Sequence, residues 1–197
     1  MSRIEEKIEA LGYKTISAAD SGEMIDYIHS KYNTKLPSEY TAIITKLGYF
    51  GFVSSVMSKG INRIPNITVD ENMVPVGRFL TWQKENRSIE SNLNMYSDQL
   101  PNKFIPFAEG ESGDLIGFQF KNETEYTINY WHHESSPGID NYVVALTFED
   151  FIDSLIHYEV KTRNDDDIKK IEHIGPSPKM IELLKKTGKW KGDDQQK

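Results

Sequence analysis

Apolar residues in the first 48 positions recur at the spacing of helices. Ile4, Ile8 and Leu11 stand at i, i+4 and i+7, which predicts a short amphipathic helix. A second stripe predicts a helix that begins at Asp20, and a third predicts a helix that begins after Pro37. The N-terminal quarter of the chain is therefore expected to be mainly helical.

From residue 49 onward the pattern changes to short segments of alternating polarity, which is typical of strands. Strands are predicted over 50–57 and 73–79. Pro75 places the second strand at a sheet edge, because proline cannot donate to a hydrogen-bond ladder. The polar stretch 84–99 is interpreted as a helix. The sheet core is predicted over 104–108, 115–120, 126–131 and 143–146. Short loops between these segments favour an antiparallel meander.

A further helix is predicted at about 147–158. Its apolar residues follow the i, i+3, i+4, i+7 rule from Phe148, Thr147 can cap the first turn, and the opposite face is acidic. The segment 161–197 is rich in charge and contains a predicted short helix at 179–186.

Together these elements indicate an α+β fold. We expect one domain over residues 1–160, formed mainly by an antiparallel sheet that is flanked by N-terminal helices and by the helix at about 147–158. Residues 1–30 are expected to form a helical extension of that domain. Residues 161–197 are expected to form a charged C-terminal tail.

Charge is distributed unevenly along the chain, whose net charge is −7. Residues 109–160 carry 11 acidic side chains and one basic side chain, Lys121, which gives −10. Residues 1–108 balance, with 12 acidic and 12 basic side chains. An acidic field repels nucleic acid and anionic lipid and attracts cationic proteins. The expected partner is therefore a basic protein, and neither nucleic acid nor a membrane.

The chain contains no cysteine, which excludes disulfides, thiolate zinc sites and cysteine nucleophiles. Its first residues lack the apolar segment of a secretory signal. No apolar run approaches the roughly 18 residues of a transmembrane helix. A cytoplasmic location is expected.

The strongest candidate for chemistry is the run His132, His133 and Glu134, with Asp114 as an additional ligand from a neighbouring hairpin. Adjacent residues of a regular strand point to opposite faces, so the two imidazoles cannot share one ion there. The helical His-Glu-x-x-His pattern of zinc proteases is absent. No catalytic residue, metal or cofactor is therefore expected, and an enzyme that uses these four side chains stays as an alternative.

Four short motifs follow one another along the chain. They are L-P-x-x-Y at 36–40, I-P-F-A with G-D-x-I at 105–116, Y-W-x-H-E at 130–134 and the F-x-x-F helix at 146–152. Their order resembles the SUKH superfamily, the group that contains bacterial immunity proteins and fungal regulators of cell-wall synthesis. The motif positions with an implied structural role are Leu36, Pro37, Tyr40, Pro106, Phe107, Gly113, Asp114, Tyr130, Trp131, His133, Glu134, Phe148 and Phe151.

The resemblance implies an immunity protein that binds a cognate bacterial toxin and occludes it, without catalysis of its own. The toxin is expected to be basic and of nuclease type. A regulatory module that binds a housekeeping protein, as the fungal relatives suggest, is the alternative. The candidate partner-binding residues are Glu109, Glu111, Asp114, Glu134, Glu149, Asp150, Asp153 and Glu159. We expect these carboxylates to share one exposed surface.

Overall fold

A computed structural model of the protein describes residues 1–17, 21–62, 64, 72–82, 88–158 and 186. All of these except Lys186 belong to one unit, Met1–Glu159. The predicted helix start at Asp20 and the predicted tail, apart from Lys186, lie outside the described residues. No helix among the described residues is long and apolar enough to cross a membrane.

The described residues form five helices and nine strands. The helices are α1 (Arg3–Leu11), α2 (Ser21–Tyr32), α3 (Ser38–Leu47), α4 (Ile89–Met95) and α5 (Phe148–Asp153). The strands are β1 (Tyr13–Ser17), β2 (Tyr49–Phe52), β3 (Val56–Lys59), β4 (Met73–Val76), β5 (Phe104–Glu109), β6 (Leu115–Phe120), β7 (Tyr126–Trp131), β8 (Asn141–Ala145) and β9 (Leu155–His157). The predicted α+β class is confirmed, and all strand pairs are antiparallel.

Strands β5 to β8 form the predicted meander in the order β5-β6-β7-β8. In the central pair, Leu115 lies opposite Trp131 and Phe120 lies opposite Tyr126. Consequently the β5–β6 and β7–β8 loops lie at one end of this sheet, and the β6–β7 turn lies at the other end together with the start of α5. Each strand of six residues separates the two ends by about 17 Å.

Phe79, in the segment 77–80, connects this meander to the N-terminal strands. It forms antiparallel bridges to Phe50 of β2 and to Ala108 of β5. The Phe79 amide donates to the Phe50 carbonyl at 2.8 Å, and the Leu80 amide donates to the Phe107 carbonyl at 2.8 Å. The rings of Phe50 and Phe79 also stack at a centroid distance of 4.6 Å. Phe79 therefore makes β1-β2 and β5–β8 continuous.

The core lies between the helices and the meander and is rich in aromatic rings. Tyr40 of α3 is fully buried, with its ring 5.1 Å from Phe118 and 5.5 Å from Phe148. Phe107 contacts the same group at 4.7 Å from Phe118. Such tilted and edge-on pairs contribute beyond their buried area. They hold α3 and α5 against one face of the sheet.

The boundaries of several elements differ from those predicted. The predicted strand 50–57 is two strands, because the chain leaves β2 at an exposed Val53 and joins another sheet as β3. The predicted strand 73–79 ends at Val76, and the helix predicted over 84–99 spans Ile89–Met95. The edge position of β4 is confirmed by the strand order β4-β3-β9.

The helix predicted at about 147–158 ends at Asp153, and Leu155–His157 forms the strand β9. Ser154 explains the change: its hydroxyl donates to the Phe151 carbonyl at 2.6 Å and lies 2.7 Å from the Ser58 hydroxyl. The chain is thereby directed onto β3, with which β9 pairs. Leu155 is buried in β9, and the predicted helix would have buried it as well. The apolar pattern therefore could not distinguish a strand from a helix at this point.

The N-terminal extension, predicted to be helical, contains a strand between its two helices. Tyr13–Ser17 pairs with β2 along most of its length, with an irregularity between Thr15 and Ser17. This strand has five residues, and its three central residues are all exposed. Its sequence therefore shows little of the alternation between polar and apolar residues that identifies a strand.

Replacing Tyr40 tests whether its hydroxyl adds to stability. Within the described part of the chain this buried oxygen has no hydrogen-bond partner. We expect Tyr40→Phe to leave the free energy of unfolding unchanged or to raise it by up to about 1 kcal/mol, because it removes an unsatisfied polar group. Tyr40→Leu, which also removes the ring contacts, should lower it by about 2 kcal/mol or more. Urea titration measures both, and a loss above 1 kcal/mol in Tyr40→Phe would contradict this account.

Alkaline pH should destabilise the protein through its buried tyrosines. Burial raises the pKa of Tyr40, and burial with the Asp114 contact raises the pKa of Tyr130. Both phenols therefore stay neutral in the fold after unfolded tyrosines ionise near pH 10, so stability is full below about pH 10 and falls above it. The fall in melting temperature above pH 10 should be shallower in Tyr40→Phe than in the wild type. Parallel slopes in the two proteins would refute this.

Candidate partner-binding surface

Asp114 is a buried carboxylate that ties the β5–β6 loop to the end of β7. One oxygen accepts a hydrogen bond from the Tyr130 hydroxyl at 2.5 Å. The other accepts from the His133 amide at 3.0 Å and lies 2.8 Å from His133 Nδ1. Asp114 is 4% exposed, so all of these bonds are shielded from water. Its carboxylate therefore serves the fold, and not the partner surface for which it was a candidate.

The glycines of this loop permit the close packing around Asp114. A Cβ atom on Gly110 would lie 2.8 Å from the Tyr130 ring, closer than side chains approach. Gly113 has φ of 107°, in the region that favours glycine. Gly113 therefore adopts a backbone conformation in this loop that other residues rarely adopt.

Asp140 plays a similar role in the β7–β8 loop. It accepts hydrogen bonds from the indole nitrogen of Trp131 at 2.9 Å and from the Gly138 amide at 3.1 Å. Its carbonyl accepts from the His132 amide at 2.8 Å. Two buried carboxylates thus fix both loops at this end of the sheet, which we call the hairpin end (110–114 and 132–140).

The two histidines do not combine into a metal site. His132 Nδ1 lies 2.7 Å from the Ser135 hydroxyl, whereas His133 Nδ1 faces Asp114. Their ring centroids are 6.0 Å apart. Across the described ranges, no three His, Asp or Glu side chains are placed to hold an ion. The alternative enzyme built on His132, His133, Glu134 and Asp114 therefore lacks the arrangement that a metal would need.

The candidate carboxylates do not share one surface, contrary to the sequence-based expectation. Glu111 and Glu134 are exposed at the hairpin end, whereas Glu149 and Asp150 are exposed at the other end of the sheet. Antiparallel pairing explains the division, because alternate loops of a meander lie at opposite ends. Glu159 lies outside the described residues.

Two further candidates are engaged by cations of the same chain. Glu109 forms an ion pair with Arg78 at 3.1 Å. Asp153 forms a short ion pair with Arg3 of α1. Both pairs reduce the net charge that these carboxylates present to a partner, although exposed pairs of this kind contribute little stability.

The end of the sheet that carries α5 gathers more exposed carboxylates than the sequence indicated. We call it the α5 end; it comprises the segment 34–39, the β6–β7 turn 121–125 and residues 146–150. Its exposed carboxylates are Glu39, Glu123, Glu125, Glu149 and Asp150. Lys121 pairs with Glu125 at 3.1 Å. Within the described chain, no ion pair joins Lys or Arg to the other four.

Tyr126, at the start of β7, lies within the electrostatic field of the α5 end. Partial burial raises its pKa, and the negative charges of Glu39, Glu149 and Asp150 raise it further. A hydrogen bond with the Phe148 backbone acts in the opposite direction. Three carboxylates from two different helices therefore act together on one phenol, although they are far apart in sequence.

Sequence reasoning missed Glu39, Glu123 and Glu125 as members of this group. Glu39 lies inside the L-P-x-x-Y motif, in the first turn of α3, and Glu123 lies in the β6–β7 turn. A backbone hydrogen bond from the Lys35 amide to the Glu123 carbonyl, at 2.7 Å, brings these segments together. Residues 1–108 balance in charge, and this balance concealed the contribution of Glu39.

Most of the family-motif positions serve the core. Leu36, Pro37, Tyr40, Pro106, Phe107, Asp114, Tyr130, Trp131, Phe148 and Phe151 are buried, whereas Gly113 and Glu134 are exposed and His133 is half-buried. The motif therefore describes the fold more than it describes a contact surface.

Replacing Asp114 tests its role in fixing the hairpin end. Asp114→Asn removes the negative charge and replaces one acceptor oxygen by an NH2 group, which cannot accept the bond that Tyr130 or the His133 amide donates. We expect the free energy of unfolding to fall by about 2–3 kcal/mol, the cost of a lost charge-assisted bond in a buried site. The matched variant Glu111→Gln, exposed on the same loop, should change it by less than about 0.5 kcal/mol. Equal stability of both variants in urea would disprove this role.

Comparison with known proteins supports the resemblance. The family model described as SMI1 / KNR4 family (SUKH-1) matches residues 21–154. The chain is also similar to the SPbeta prophage-derived uncharacterized protein YokK of Bacillus subtilis (strain 168), with 25% identity over 181 residues, or 84% of this chain and 91% of that protein. No solved structure matches. Because the family match covers well over half of its length, the chain belongs to the SMI1 / KNR4 family (SUKH-1).

Proposed function

We propose that this protein is an immunity protein that binds a basic cognate toxin through the α5 end and occludes it, without catalysis of its own. Membership of the SUKH family supports a toxin as the partner. The observation that carries the choice of surface is the group of exposed carboxylates at the α5 end, four of which have no basic partner within the described chain.

Electrostatics makes this surface suited to rapid capture. Exposed charges of one sign repel one another and weakly destabilise an isolated domain, so their clustering is compensated when a cationic surface covers them. Long-range attraction raises the association rate with a basic protein, and salt screens that attraction over about 8 Å at physiological ionic strength. Dissociation is then slowed by the contacts that are desolvated at the centre of the interface.

Occlusion follows from the chemistry of a nuclease-type toxin. Such an enzyme must present lysine or arginine side chains to the phosphates of its substrate. An acidic protein surface competes for the same side chains. A protein bound there excludes nucleic acid by charge and by volume, and it needs no catalytic group.

Charge reversal tests the surface. We expect Glu123→Lys/Glu149→Lys to slow association with the cognate toxin by about tenfold or more, because it weakens the steering field. The association rate of the wild type should also fall steeply between low and high salt. Both rates are measurable by stopped flow or surface plasmon resonance with the purified toxin. Survival of cells that co-express toxin and variant provides the biological readout.

The control exploits the division of charge between the two ends of the sheet. Glu111→Lys/Glu134→Lys changes the net charge by the same amount at the hairpin end and should slow association much less. Equal slowing by both double variants would mean that net charge alone matters, which would overturn the assignment to the α5 end. Failure of the two wild-type proteins to co-purify, or capture of a housekeeping protein in place of the toxin, would overturn the immunity function.

A further inference from the structure

A cavity of about 750 Å³ opens at the α5 end. Its walls are α2, the segment that leads into α3, and the β6–β7 turn. We propose that this cavity receives the side chain of one arginine or lysine that projects from the partner protein. This inference rests on the proposed function and specifies how the α5 end recognises its partner.

The interior of the cavity matches the aliphatic part of a long basic side chain. Ile25, Leu36, Pro37 and Tyr126 contribute apolar surface to it. Lysine and arginine bury their methylene stems against such surface while the charged group stays near water. The half-buried Tyr126 also offers an aromatic face, on which a cation is stabilised.

The rim of the cavity matches the charged group. Asp26, Glu39 and Glu123 are exposed carboxylates that line it, and they come from three separate segments. One lysine, Lys35, also lines the cavity. His29 lines it too, with Nδ1 at 3.2 Å from the Thr34 carbonyl. Because the carboxylates outnumber the lysine, the rim repels an anionic group. An apolar group would take the carboxylates out of water without offering them a hydrogen-bond or charge partner.

Thr34 gives independent support for a polar ligand. This residue lines the cavity and is fully buried, and its hydroxyl oxygen has no hydrogen-bond partner in the described part of the chain. An unsatisfied buried hydroxyl costs about 1–3 kcal/mol. The hydroxyl is shielded in the empty cavity, so a guanidinium or ammonium N–H would supply the missing donor once a small shift of the covering side chains exposes it.

The cavity walls are held together before any ligand arrives. The Lys35 amide donates to the Glu123 carbonyl at 2.7 Å, which joins the segment before α3 to the β6–β7 turn. The Asn122 side chain accepts from the amides of Thr124 and Glu125 at 3.0 and 2.8 Å, which fixes that turn. A preformed site loses little entropy on binding, so even one inserted side chain can slow dissociation.

Short peptides test the cavity without the toxin. Isotope-labelled full-length protein is titrated with acetyl-Gly-Arg-Gly-amide, the lysine equivalent, and the citrulline equivalent, which keeps the shape of arginine without its charge. We expect the arginine or the lysine peptide to shift the resonances of Thr41, Thr124 and Tyr126 in the millimolar range, and citrulline to bind about tenfold more weakly. Glu39→Gln should weaken the binding of the cationic peptide by about threefold or more.

The peptide titration also separates the two basic side chains. Stronger binding of the arginine peptide identifies a guanidinium site, and stronger binding of the lysine peptide identifies an ammonium site. Equal binding of the citrulline peptide, or shifts confined to the hairpin end, would overturn the inference.

A variant that fills the cavity tests it in the complex. Thr124→Trp places a large uncharged side chain at the exposed edge of the cavity, and Ser136→Trp places the same side chain at the hairpin end. We expect Thr124→Trp to raise the dissociation rate of the toxin about tenfold with little change in the association rate, and Ser136→Trp to change neither. Circular dichroism of both variants confirms folding.

The outcomes distinguish this inference from the proposed function. If Thr124→Trp leaves the dissociation rate unchanged while Glu123→Lys/Glu149→Lys slows association, the cavity inference fails and the immunity function stands. If the toxin does not bind at all, the immunity function fails, and the peptide titration still decides whether the cavity takes a basic side chain.

Discussion

Antiparallel pairing across β5–β8 constrains where every loop of the sheet can lie. With Leu115 opposite Trp131 and Phe120 opposite Tyr126, alternate loops are directed to opposite ends. The acidic half of the sequence is therefore divided into two groups that have different environments. The acidic block is continuous along the chain but divided in space, and the α5 end gains one carboxylate from α3, Glu39, that is remote in sequence.

Burial gives the same chemical group two different roles at these two ends. At the hairpin end, Asp114 and Asp140 are 4% exposed and accept hydrogen bonds from the strand that they adjoin. At the α5 end, Glu149 and Asp150 extend into solvent. A carboxylate with all its donors supplied inside the protein fixes structure, whereas one left in water keeps its charge available for another molecule. Composition alone could not assign these roles.

The parts of the fold that sequence predicted correctly are those with a strong local pattern. The α1 stripe of Ile4, Ile8 and Leu11 and the meander segments around Phe118 and Ile128 were identified because apolar periodicity is local. The strand β9 was missed because Leu155 fits helical spacing as well as it fits pairing with Ser58. The role of Phe79 as a bridge was missed because it depends on two strands that are distant in sequence.

The strand β1 has a consequence for the limits of the folded unit. The family match begins at residue 21, yet Tyr13–Ser17 covers the outer edge of β2, and α1 packs against α5. A shortened protein that starts at the family boundary would leave the backbone amides and carbonyls of β2 unpaired. Unprotected strand edges recruit strands from other molecules. The first seventeen residues thus belong to the folded unit, in which β1 supplies the backbone partners of β2 and moves the sheet edge to itself.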